Sequence, residues 1–155
     1  MSRIPSYKGQ KLGMSVVIPT YNREKALEAV LTNIRDQTIS PNEVIIVNNG
    51  EETKRVKELS KGSLYIKTQE NSLTLAKELG THKAKGEIVI FLDDDMRIPE
   101  DYVENIEKFF QKNPEVIGVM GKNMSNPKML EKRSYWFKRV FYIVTREGFI
   151  VMPSL

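Results

Sequence analysis

Residues 86–102 read GEIVIFLDDDMRIPEDY. Five apolar residues, Ile88 to Leu92, run straight into Asp93, Asp94 and Asp95. A continuous apolar run of this length reads as a strand buried on both faces. Adjacent carboxylates repel one another, and an unpaired buried carboxylate is costly. A positive group is therefore expected to share the site. In an extended backbone Asp93 and Asp95 would point to one side and Asp94 to the other.

The same kind of run recurs on either side. Ser15–Pro19 (SVVIP), Glu43–Val47 (EVIIV) and the shorter Leu64–Lys67 read as strands, and Val116–Met120 reads as a fifth. Helical spacing fills the intervals. Asn22 is placed to cap a helix carrying Ala26, Leu27, Val30, Leu31 and Ile34. Glu51–Lys61 reads as a short polar helix. Ser72 caps a helix with Leu75, Ala76 and Leu79 on one side, weakened at Gly80 and ended by Gly86. Pro99 sits at or just before the start of another, with Glu100 and Asp101 in its first turn and Tyr102, Val103, Ile106, Phe109 and Phe110 buried. Strands alternating with helices predict an α/β fold, a mostly parallel sheet with helices on both faces.

Sheets of this kind bind ligands outside the carboxyl ends of their strands. That edge is where the unusual residues fall: PTYN after the first strand, NNG after the second, DDD after the fourth. Asp93 and Asp95 suit a hard divalent ion, Mn²⁺ or Mg²⁺, which takes one or two carboxylates and completes its shell with substrate phosphates. A nucleoside diphosphate is the natural guest. The alternative is that the aspartates cap the next helix or face water.

Composition narrows the field. The chain has 155 residues, 40% hydrophobic and 28% charged, as expected of one ordinary globular domain. It has no cysteine, so disulfides and thiolate metal sites are excluded. No apolar run approaches the roughly 20 residues that cross a bilayer. The first residues lack the apolar core of a signal peptide, so the expected location is cytoplasmic. There is no GxGxxG and no GxxxxGK[ST], which argues against a dehydrogenase or a P-loop ATPase. His82, the single histidine, reads as a surface residue. The net charge of +4 is concentrated in 122–139, where six Lys or Arg accompany one Glu.

Two longer stretches carry a resemblance. SVVIPTYNREKALEAVLTNIRDQTISPNEVIIVNNG (15–50) and NSLTLAKELGTHKAKGEIVIFLDDD (71–95) together resemble the N-terminal, nucleotide-binding part of an inverting family 2 glycosyltransferase. The resemblance covers about Met14 to Met120. It implies a GT-A fold with a Rossmann-like sheet, and a nucleoside-diphosphate sugar, UDP favoured, as donor. Pro19, Thr20 and Tyr21 would line the nucleotide site, Tyr21 beside the base. Asn49 would meet the base, and Lys77 would lie near the sugar nucleotide. Asp95, with Asp93, would hold the metal. Asp94 would neighbour the ribose or sugar. Implied acceptors are a saccharide or a polyprenyl phosphate.

The chain departs from the family pattern in two places. NNG replaces the usual DDG, and Asn offers a donor as well as an acceptor. No residue is recognisable as the general base that inversion needs; Glu131 and Glu147 follow the basic stretch, and neither is assigned that role. A fragment, a donor-binding half and a short homologue all fit that observation. The expected organisation is a flexible arm over 1–13, a nucleotide-binding core over 14–121, and a basic, aromatic segment over 122–155 that begins an acceptor-side region. Within it Ser134–Val144 is open between strand and helix, and Phe149–Met152 reads as a last strand. Tyr135, Trp136 and Phe137 among the basic residues suit an acceptor sugar, a peripheral membrane contact through 122–139, or core packing. They are not spread over several strands as in an RNA-reading sheet, so nucleic acid is not expected. Rival functions are a non-catalytic nucleotide-binding or interaction domain and a nucleotidyltransferase. The second usually has a Gly-rich basic loop after the first strand, and PTYNREK has no glycine.

Overall fold

The computed structural model describes residues 11–114 and 116–119. The readings made for 1–10 and 122–155 lie outside these residues. In chain order the elements are β1 (Met14–Thr20), α1 (Glu24–Arg35), β2 (Glu43–Asn48), α2 (Lys54–Leu59), β3 (Leu64–Lys67), α3 (Leu73–Lys83), β4 (Ile88–Phe91) and α4 (Tyr102–Lys112). The four strands form one parallel sheet in the order β3-β2-β1-β4.

β1 lies between two neighbours and is buried along its whole length. Its side chains alternate between two cores, as a pleated strand requires. Val16 and Ile18 join Leu27, Val30, Leu31 and Ile34 of α1, Val56 of α2, and Val103 and Phe110 of α4 on one face. Val17 joins Ile45, Val47 and Val89 against Ala76 of α3 on the other. The sheet is thus covered on both faces, as the apolar runs predict, in the Rossmann-like arrangement of a GT-A domain.

α3 passes through Gly80 rather than weakening there. A Cβ at Gly80 would lie 2.3 Å from Val17 Cγ1, so the missing side chain is what lets α3 rest on β1. Ser72 caps this helix as expected, its Oγ accepting from Leu75 N–H at 3.3 Å.

Five local expectations are corrected. Asn22 does not cap α1; the capping position is Arg23, with no side-chain cap bond. Asn22 instead has φ 53°, a left-handed conformation asparagine tolerates, and its Oδ1 accepts from Glu51 N–H at 2.6 Å. α2 begins at Lys54 rather than Glu51, because Thr53 supplies the cap through Val56 N–H. α4 begins at Tyr102, so Glu100 and Asp101 precede it rather than fill its first turn.

The fourth correction concerns Val116–Val119, which form no strand. Val116 N–H is spent on Asn113 O in a turn, and Val116 and Val119, three residues apart, both pack on the larger core. The fifth concerns Leu12, expected in the flexible arm. It is buried in that core, and its N–H donates to Glu107 Oε1 at 3.1 Å.

A distant residue does for α4 what its own cap does not. Gln37, buried at the end of α1, accepts from Val103 N–H at 2.9 Å and donates to Pro99 O at 2.7 Å and Asn33 O at 3.1 Å. Thr38 N–H donates to Glu100 O alongside. This clamp fixes the segment just after the three aspartates. Gln37→Ala is expected to cost about 2–3 kcal/mol, since it leaves a buried N–H unpaired. A denaturant midpoint shift at unchanged slope would register it.

Candidate active site

The strand order reverses at β1: β2 and β3 lie to one side and β4 to the other. Such a switch point opens a crevice at the carboxyl ends of the strands. Register sets what lines it. Met14 pairs with Ile88 and Val17 with Phe91. Continued two steps past Leu92, whose N–H donates to Val17 O, this offset brings Thr20 level with Asp94. On the other side Thr20 pairs with Asn48, and Asn48 with Lys67. Pro19 is buried within β1 and pairs with Val47, at a point where pairing with β4 has already ended. That position tolerates a residue with no N–H.

The three aspartates do not continue the strand. β4 stops at Phe91, and Met96 N–H turns back to Asp93 O at 3.1 Å. The extended alternation expected for them is therefore replaced by a turn that sends Asp94 inward. Asp94 is 5% exposed and accepts from Thr20 Oγ1 at 2.9 Å and Arg23 Nη1 at 3.2 Å. Asp95 remains exposed and accepts from the same Arg23 Nη1 at 2.8 Å. Asp93 lies 3.2 Å from Lys77 Nζ, and Lys77 also sits 5.8 Å above the Phe91 ring.

The positive partners that the sequence calls for are thus Arg23 and Lys77. Hydrogen bonds to Asp94, and then to Asp95, raise the Arg23 pKa above its ordinary value and keep it charged. Arg23 is the functional residue that sequence reasoning missed. Its signal was a cation at the start of a helix, where the dipole disfavours positive charge; a carboxylate partner relieves that conflict.

The turn after β2 closes the other side. Asn48 is buried and fully engaged: Nδ2 donates to Glu51 O and Tyr65 Oη, each at 3.0 Å, and Oδ1 accepts from Gly50 N–H at 2.8 Å. Asn49 N–H donates to Thr20 O at 3.1 Å, and its side-chain amide reaches Asn71 Oδ1 at 3.4 Å. A Cβ on Gly50 would lie 2.4 Å from Asn22 Oδ1, so glycine lets the loops after β1 and β2 dock. Tyr21 stands half exposed on the rim. Thr20, Asn49, Lys77 and Asp93–Asp95 are linked by these contacts into one edge, with Pro19 behind them.

Among the described residues no group of three His, Asp or Glu side chains converges to hold a metal unaided. A cation that brings its own phosphate ligands fits better. Asp93 Oδ1 is buried and accepts no hydrogen bond, with the Lys77 ammonium as its ionic contact, and the Asp95 carboxylate is open to solvent. One or two carboxylates are the usual protein share of such a shell.

Residues 15–153 match the family model described as glycosyl transferase family 2. The chain belongs to that family. It is 34% identical over 101 residues to the glycosyltransferase GlyA of Streptococcus pneumoniae, covering 61% of this chain and 14% of that protein. It is 25% identical over 137 residues to a glucosyl-dolichyl phosphate glucuronosyltransferase of Haloferax volcanii, covering 83% of this chain and 43% of that protein. The chain therefore spans less than half the length of these curated relatives. Among solved structures it is similar to the mannosyltransferase PcManGT of Pyrobaculum calidifontis in complex with GDP-Man and Mn²⁺. That likeness has a TM-score of 0.57 and 25% identity, over 66% of this chain and 33% of that one.

Proposed function

We propose that this chain binds a nucleoside-diphosphate sugar at the carboxyl edge of its sheet and passes the sugar to an acceptor hydroxyl with inversion. The observation that carries this reading is the bond from Thr20 Oγ1 to Asp94, which ties the end of β1 to the carboxylate turn after β4. Membership of glycosyl transferase family 2 and likeness to a structure holding GDP-Man and Mn²⁺ support it.

In this reading Tyr21 lies against the base and Asn49 Oδ1 accepts from its N–H. UDP remains the favoured carrier, although an Asn suits other bases too. Asp94 neighbours the ribose or sugar. Asp95 and Asp93 hold Mn²⁺ or Mg²⁺, which as a Lewis acid would neutralise charge on the departing diphosphate. Lys77 adds a point charge on the same side. The acceptor oxygen forms its bond to the anomeric carbon as the bond to the diphosphate breaks on the opposite face. An α-linked donor then gives a β-glycoside, and the hydroxyl proton passes to a base not assigned among these residues.

The core of 14–121 supplies the donor half and 122–155 the start of the acceptor side. A saccharide or a polyprenyl phosphate is the proposed acceptor. The similarity to an enzyme named for a dolichyl phosphate substrate supports the second, and the basic stretch 122–139 suits a membrane surface. No helix among the described residues is long and apolar enough to cross a membrane. The proposed setting is the cytoplasmic side, with peripheral membrane contact.

The test is release of nucleoside diphosphate from UDP- and GDP-sugars, with Mn²⁺ or with chelator. Metal-dependent release from one donor supports the reading. Binding of the donor with no turnover, even when candidate saccharide and polyprenyl phosphate acceptors are supplied, favours a nucleotide-binding domain.

A further inference from the structure

Arg23 is not one of the nucleotide-contacting positions assigned above, yet it joins two of the three carboxylates. A single nitrogen, Nη1, lies 3.2 Å from Asp94 Oδ1 and 2.8 Å from Asp95 Oδ2. The two carboxylates it joins have very different freedom. Asp94 is buried and held on its other oxygen by Thr20. Asp95 is 62% exposed and the Arg23 side chain 56% exposed. One end of the bridge is fixed and the other lies in solvent, where an ion pair is weak and readily exchanged.

We propose that Arg23 is a positioning residue that holds the place of the cation in the ligand-free site and moves to the diphosphate when the metal arrives. This rests on the reading of the site given above. A guanidinium and a divalent cation cannot share the Asp95 carboxylate without repelling each other. Metal entry therefore weakens the hold of Arg23 on Asp95, where it grips Oδ2 alone. A diphosphate offers the planar guanidinium fork a more highly charged anion that two of its nitrogens can grip, where Asp95 takes only Nη1. Exchange is easiest when metal and diphosphate arrive together, and each then raises the affinity for the other. Arg23 would thus set the order of assembly: weak metal binding alone, tight binding with the diphosphate.

The experiment measures Mn²⁺ affinity by the loss of the free-ion electron paramagnetic resonance signal. It uses Mn²⁺ alone, Mn²⁺ with inorganic pyrophosphate, and Mn²⁺ with UDP or GDP, on the parent, Arg23→Gln and Arg23→Lys, each read against the same mixture without protein because these anions chelate Mn²⁺ themselves. The expected parent binds Mn²⁺ markedly more tightly once pyrophosphate is present. Arg23→Gln is expected to bind Mn²⁺ alone about two- to five-fold more tightly, from loss of one competing cation, and to lose most of the pyrophosphate enhancement. Arg23→Lys, which keeps the charge without the fork, is expected to restrain Mn²⁺ alone as the parent does. It recovers only part of the enhancement and serves as the folded control should Arg23→Gln unfold. Unchanged Mn²⁺ affinity in folded Arg23→Gln, or no pyrophosphate effect in the parent, overturns the proposal. Absence of nucleotide binding in the parent, with the Mn²⁺ and pyrophosphate arms behaving as expected, instead overturns the assignment of the nucleotide site.

Discussion

Asp95→Asn is expected to lower Mn²⁺-dependent affinity for the nucleoside diphosphate by at least about 100-fold, because losing even an outer-shell partner of a metal ligand costs 10–100-fold. Its fold is expected to survive. Asp95 is exposed, and Arg23, its partner among the described residues, keeps Asp94. The substitution is nearly isosteric, so what it removes is the charge that a hard cation needs. Calorimetric titration with UDP and GDP, with and without Mn²⁺, checks this beside the melting temperature. Retained metal-dependent binding in the variant would move the metal ligand elsewhere. The same replacement at Asp94 separates the two roles. Asp94 is buried against Thr20 and Arg23, so Asp94→Asn is expected to lower stability as well as binding.

The second large effect concerns the fold beneath the site. Gly80→Val is expected to destabilise the protein by about 3 kcal/mol, at the upper end of overpacking costs. Its Cβ alone would lie 2.3 Å from Val17 Cγ1, on a fully buried strand that cannot recede. Helix propensity works the other way, since glycine is the poorer helix former by about 1 kcal/mol against alanine. The sign of Gly80→Ala therefore shows whether α3 can lift. The double variant Gly80→Ala/Val17→Ala removes the clashing methyl and is expected to be more stable than the sum of the single changes, the mark of a direct contact. Denaturant unfolding of the four proteins measures it. A stabilised Gly80→Val would show that α3 does not press on β1.

What could be read in advance follows from how local each cause is. The four strands are apolar runs bounded by turn residues, and β3 was placed at Leu64–Lys67 without adjustment. The parallel sheet and its two covered faces follow from the alternation of strand and helix. The starts of α1 and α4 are not legible in sequence because their causes are tertiary. Asn22 is drawn away by Glu51 N–H, and the first turn of α4 is capped by Gln37, which follows the end of α1. Val116–Val119 has the composition of a strand, but its first N–H is taken by a turn.

The site divides in the same way. That carboxylates gather at the end of β4, with a cation among them, is legible from an apolar run ending in DDD. Which aspartate is buried is not legible. That depends on the register of β1 against β4, which sets Asp94 against Thr20, and on the turn that ends extension at Phe91. The replacement of DDG by NNG is similarly only half visible in sequence. Asn48 is consumed by Glu51, Gly50 and Tyr65, leaving Asn49 as the amide on the site side. Burial raises the pKa of the Tyr65 hydroxyl, so it stays a neutral partner for Asn48 at ordinary pH.

In the function proposed, three strand ends from distant parts of the sequence make one metal–nucleotide site. Nuclear magnetic resonance of ¹⁵N-labelled protein with excess UDP or GDP and trace Mn²⁺ tests it most directly, because the paramagnetic ion broadens amides near it wherever they fall in the chain. The expected result is selective broadening at Thr20–Arg23, Asn49–Gly50, Lys77 and Asp93–Asp95 that depends on the nucleotide. Broadening confined to other acidic surface residues, with Thr20 and Asp93–Asp95 untouched, would contradict the account.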